Sequence, residues 1–190
     1  MSLRQRIPFQ DDEEDRSHST QVLDETEQEE LIEDLRRENL QTSARAVVML
    51  DGVLAFSTLL QVVYLLKQSR MSPLFELFPP SATTSLEPIP APVLFTVLAL
   101  LLHANLVLHL HPALTSSSSL PLPLPYATTY ALGCVAPTLG LFLARAWQTT
   151  LWTSLPVLVV LLVQSVHDTL KEGDEALAEL ETLKYTAPGP

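Results

Sequence analysis

The sequence predicts an all-α integral membrane protein with four transmembrane helices and acidic tails, partly helical and partly disordered. Three observations predict it. First, charge is segregated. Residues 1–43 hold thirteen acids and five bases, and residues 168–190 hold six and two. The 124 residues between carry only Asp51, Glu76, Glu87, Arg45, Lys67, Arg70 and Arg145. A helical protein in water needs a charged face on every helix, so this gap is foreign to a soluble bundle. Second, the central block divides into apolar runs of 17–21 residues. That length crosses roughly 30 Å of hydrocarbon at about 1.5 Å per residue. Third, proline-rich or charged connectors separate the runs, and proline interrupts a helix.

Residues 1–20 are polar and acidic with few apolar anchors, and are expected to be disordered. Residues 21–43, QVLDETEQEELIEDLRRENLQTS, contain neither Gly nor Pro and read as an acidic amphipathic helix. Leu31, Ile32, Leu35 and Leu40 form its narrow apolar stripe. Its acids come early and Arg36 and Arg37 late, which suits the helix dipole.

Residues 44–167 form the membrane domain. The first span is 46–66, bounded by Arg45 and Lys67. The loop after it is broken by prolines, and its PLFELF stretch (73–78) mixes aromatic residues with one acid, as interfacial segments do. The second span is 92–110, with Pro92 suited to a first helical turn. In 111–125, HPALTSSSSLPLPLP, the Leu-Pro alternation favours an extended polyproline conformation. The third span is 126–144. A short turn, RAWQTT, joins it to the fourth, 151–167, and forces an antiparallel hairpin. Trp147 and Trp152 flank that turn and are expected at the membrane–water interface. Residues 168–190 comprise an acidic helix to about Tyr185, able to continue the fourth span, and a short tail. Pro137 and Pro156 are expected to kink their helices.

The stretch LLHANLVLHLHP (101–112) places three histidines in apolar surroundings. At 100° per residue, His103 and His109 lie about 120° apart around the axis, and His109 and His111 about 160° apart. His103 and His111 share a face but are separated by about 12 Å along it. No pair has the i, i+4 spacing that puts two imidazoles on one ion, so no metal and no cofactor is expected. Pro112 pushes His111 out of helical geometry. The candidate intramembrane polar residues are therefore His103 and Asn105 near mid-span, and Asp51 one turn inside the first span. Ionisable groups at such depth are costly and face the bundle interior or a partner. Arg45 lies nearly opposite Asp51 around the axis and makes a poor partner for it.

Gly133, Pro137, Gly140 and Ala144 share one face of the third span at spacings of four, three and four. Small residues admit close helix approach, either to the fourth span or to another subunit. Enzyme signatures are missing from the sequence: no Gly-rich phosphate loop, no HExxH, no CxxC pair and no GxSxG elbow.

The net charge of −11 disfavours nucleic acid, which requires a basic footprint. With one cysteine, Cys134, no intrachain disulfide forms. The N-terminus MSLRQRIPFQDDEED has neither the basic-then-apolar order of a signal peptide nor the acid-poor composition of a mitochondrial presequence. Insertion is then expected from the first internal span. Four spans place both termini on one side. Arg36, Arg37, Arg45, Lys171 and Lys184 against Lys67, Arg70 and Arg145 make that side cytoplasmic. Short spans suit a thin bilayer, the endoplasmic reticulum first and a mitochondrial membrane second.

The expected function is that of a small non-enzymatic accessory, scaffold or assembly subunit. It would act through helix contacts in the bilayer and through its acidic cytoplasmic tails. Its partners would be lipid, another membrane protein and, in a homo-oligomer, further copies of itself. The alternatives are a proton-coupled or ligand-carrying transporter using Asp51 and His103, and a lipid-modifying membrane enzyme.

Overall fold

The computed structural model describes residues 25–67, 70–79, 88–117 and 123–182; the expectations for residues 1–20 and 183–190 lie outside them. Among the described residues every regular element is helical: α1 (Glu25–Lys67), α2 (Leu74–Leu77), α3 (Pro92–Leu110), α4 (Pro112–Ser117), α5 (Tyr126–Phe142) and α6 (Trp147–Thr182). Three of them, α1, α3 and α6, are long and apolar enough to cross a membrane, as a multi-pass membrane protein requires. The 17 residues of α5 reach about 26 Å, slightly short of a hydrocarbon core of about 30 Å.

The acidic N-terminal helix and the first span are one helix of 43 residues, about 65 Å long. Nothing between Gln41 and Arg45 breaks it, since Thr42, Ser43 and Ala44 all tolerate helical geometry. Likewise the fourth span and the acidic C-terminal helix merge into α6, 36 residues long, with Pro156 and Gly173 inside it. Both helices are far longer than a bilayer is thick, so their acidic ends project beyond the apolar block.

Those projecting ends lie together. Asn39 Nδ2 donates to Asp174 Oδ1 at 2.7 Å, and the Arg36 guanidinium pairs with Glu181. At the other end, Tyr64 meets Trp152 with ring centroids 5.4 Å apart. The two long helices thus run antiparallel along their whole shared length. The buried positions of α1 within the apolar block are Leu50, Leu54, Ser57, Gln61 and Tyr64, spaced four, three, four and three. This is the seam of left-handed helix packing.

The other two helices complete an up-down-up-down bundle. His111, just past the end of α3, and Tyr126, at the start of α5, both lie near the projecting end, against Asp51 and His167. The end of α5 lies against the start of α6, where Gly140 approaches Thr150. Leu50, Leu54, Leu106, Val159, Val160 and Val163 form one apolar cluster, and Tyr64, Ile89 and Trp152 a second. The outward faces are apolar as well: Phe56, Leu59, Leu94, Leu101 and Leu161 are all more than half exposed. Polar side chains instead go inside, including Ser57, Gln61, Thr96, His103, Asn105 and Thr129. Lipid is as apolar as leucine, so burying apolar groups does not drive helices together there; close packing and interhelical hydrogen bonds do.

Several connections depart from the sequence expectation. Trp152 faces the bundle and packs into the second cluster, while Trp147 stays exposed beside Phe78, their centroids 5.7 Å apart. Trp152 falls on the inward stripe of α6 with Pro156 and Val159, and that periodicity decides its place. In the 111–125 connector Pro112 opens the short helix α4, ahead of the Leu-Pro alternation; Pro125 has the extended form (φ −60°, ψ 150°), and residues 118–122 lie outside the described residues. The third span stops at Phe142, two residues early. A Schellman motif closes it: Arg145 N–H donates to Gly140 O at 2.9 Å and Ala144 N–H to Leu141 O at 3.0 Å. Ala144 occupies the left-handed position (φ 49°) where glycine is usual.

Candidate functional site

The histidine-rich stretch of α3 resolves into separate attachments to its neighbours. His103 is buried at mid-helix. Its Nδ1 lies 2.6 Å from the Ala99 carbonyl and its Nε2 lies 2.8 Å from Ser57 Oγ on α1. A carbonyl only accepts, so Nδ1 carries the proton. In the neutral tautomer Nε2 then accepts a hydrogen bond from the Ser57 hydroxyl. Both ring nitrogens are engaged, and α3 is tied to α1.

Asn105 faces another way. Its Oδ1 accepts from Leu124 N–H at 2.7 Å, and its Nδ2 donates to Leu124 O at 3.2 Å and to Thr129 Oγ1 at 3.1 Å. The amide therefore satisfies both backbone groups of Leu124, in the proline-rich connector where no helical partner exists for them. His109 Nε2 donates to the same Leu124 carbonyl at 2.7 Å, and its ring stacks on Tyr126 at 4.5 Å. Tyr126 in turn lies 6.2 Å from His167 on α6.

Asp51 and His111 meet at the projecting end. His111 Nε2 and Asp51 Oδ1 are 3.0 Å apart, with both side chains more than a third exposed. Pro112 takes His111 out of the helix (φ −122°, ψ 73°) and frees it to reach α1. Asp51 thus has a partner sixty residues away that neither spacing nor helical periodicity foretells. It also stands at the rim of an apolar groove of about 440 Å³ lined by Leu54, Thr58, Leu59 and Val107.

The small-residue face of α5 is turned inward. Gly133, Pro137 and Gly140 are buried; a Cβ on Gly133 would come within 3.0 Å of Val157 on α6 and 3.5 Å of Leu102 on α3. Ala144 does not belong to this face, because it lies past the helix end and is exposed.

Asp51, His103 and Asn105 do not converge on one centre. His103 and the Asp51–His111 pair tie α3 and its flank to α1 at two separate points, and Asn105 ties α3 to the start of α5. Among the described residues no group of three or more His, Cys, Asp or Glu side chains is placed to hold a metal ion. The hydroxyl of Thr129 is among those the sequence offers as a helix bridge, whereas Ser57 and the Leu124 backbone are not. For Ser57 a signal existed: it falls on the Leu50–Leu54 stripe, where a polar residue must find an interior partner. For Leu124 none did.

Compared with known proteins, the chain matches no family model, no curated protein and no solved structure.

Proposed function

We propose that this protein is a small, non-enzymatic accessory or assembly subunit of a multi-pass membrane complex, docking its partner through the projecting α1/α6 hairpin. One observation carries the reading. Beyond the apolar block, the paired helices expose Leu31, Leu35, Leu40 and Leu180, each at least 37% accessible, among Glu30, Glu33, Asp34, Glu38, Glu175 and Glu179. Uncovered leucines within an acidic surface fit a partner segment that is apolar and basic.

Four crossings belong to this proposal. The bundle supports them: the projecting ends of α1 and α6 lie together, the start of α6 lies against the far end of α1, and α5 runs between the two ends. The basic residues on the projecting halves and at Arg45 favour the cytoplasm for that side. The short spans favour the endoplasmic reticulum over a mitochondrial membrane.

Purification of the tagged full-length protein from its native host in mild detergent tests the reading. A stoichiometric membrane partner is expected, and it should be lost in Leu31→Glu/Leu35→Glu while thermal unfolding is unchanged. Recovery as a lone monomer or homo-oligomer contradicts it.

A further inference from the structure

Between α1, α3, α5 and α6 lies a cavity of about 30 Å³. Most of its wall is apolar, yet Gln61 and Tyr64 line it, and they are only 3% and 5% exposed. Three residues apart on α1, they project from the same face. The Tyr64 hydroxyl is fully buried and has no hydrogen-bond partner in the protein. A buried hydroxyl left without a partner is costly.

The opposite wall has polar groups of its own. Pro137 and Pro156 lack the amide hydrogens that the carbonyls of Gly133 and Trp152 would accept in a regular helix. Gly133 and Trp152 both line this cavity, as does Thr153, whose hydroxyl donates to the Thr149 carbonyl at 3.1 Å and keeps its acceptor capacity. Two proline interruptions, on two helices, thus border the same small space as two buried polar side chains of a third.

We infer that this cavity is a structural water site, with one or two ordered waters bridging the Tyr64 hydroxyl and the Gln61 amide inside the bundle. A water needs roughly 10–15 Å³ of such volume and two to four polar partners, and the site meets both conditions. It is too small for a lipid chain or an organic substrate, which need several hundred Å³. The water completes hydrogen bonds that the four helices leave open between them. This inference is independent of the docking proposal.

Two measurements on the full-length protein in lipid nanodiscs test it, with water itself as the probe. A nuclear Overhauser cross-peak at the water frequency to the Gln61 side-chain amide is expected. Tyr64→Phe should lower Tm by about 2–4 °C, since the hydroxyl has no protein partner and only a water bridge is lost. A missing cross-peak in the wild type, or a Tm for Tyr64→Phe that is unchanged or raised, overturns the water site.

Discussion

Between Leu50 and Tyr64, α1 meets α6 through Leu54, Val159, Val163 and the Tyr64–Trp152 contact; between Ile32 and Ser43, the same two helices meet through Asn39, Asp174, Gly173 and the Arg36–Glu181 pair. The spacing hardly changes. On α6, half-buried Val166, Leu170, Gly173 and Leu177 continue the three-four rhythm of buried Trp152, Pro156, Val159 and Val163. The chemistry changes where the surroundings change from lipid to water. Periodicity sets which residues meet, and the solvent sets which residue types hold them. In the apolar block the outer faces are greasy and polar groups turn inward. On the projecting halves the acids turn outward and the seam tolerates exposed hydrogen bonds.

The largest expected effect breaks the inner seam. Val163→Asp buries a charge with no partner at a position of zero exposure, and should cost about 3–5 kcal/mol or prevent folding, read as Tm and monodispersity in nanodiscs. Leu177→Asp, half-buried on the outer seam, should cost about 1 kcal/mol. Equal costs would erase the distinction between the two halves.

Next comes the polar interior. Asn105→Leu removes the amide that holds both backbone groups of Leu124, and should cost about 1–3 kcal/mol. Hydrogen exchange at the Leu124 amide should accelerate with it. Unchanged exchange there would deny Asn105 its fastening role.

Much of the fold was legible before any coordinates. The charge gap and run lengths located three long apolar helices, and α3 has the bounds expected, 92–110. Two things were not legible. Helix ends need a breaker to be seen, and at Ser43–Arg45 none exists, so the acidic helix and the first span looked like two elements. Contacts between distant residues leave no local trace: nothing near Asp51 announces His111, and nothing near Asn105 announces the Leu124 backbone.

A smaller effect sharpens the outer seam. At Gly173 an added Cβ would lie 3.0 Å from Asn39 Oδ1. Gly173→Ala should stabilise the helix by about 1 kcal/mol in an Asn39→Ala background and by less in the wild type, where Asn39 must give way. Additive effects in a double-mutant cycle would mean that the two helices do not touch there. The smallest effect is expected at Glu181→Gln. The Arg36–Glu181 pair is about half exposed, so its loss should cost less than about 1 kcal/mol and vanish in high salt. The Val163→Asp defect should persist at every salt concentration.

The central claim is that α1 and α6 form one antiparallel pair whose acidic halves project together, which with the proposed four crossings puts both on one side of the membrane. Side-specific labelling tests it directly. Single cysteines at Glu30→Cys and Glu172→Cys, each on a Cys134→Ser background, would be exposed to an impermeant maleimide in sealed, oriented vesicles. Both sites should label from the same side, and both should be protected from the other. Labelling from opposite sides would mean an odd number of crossings and would contradict the paired hairpin.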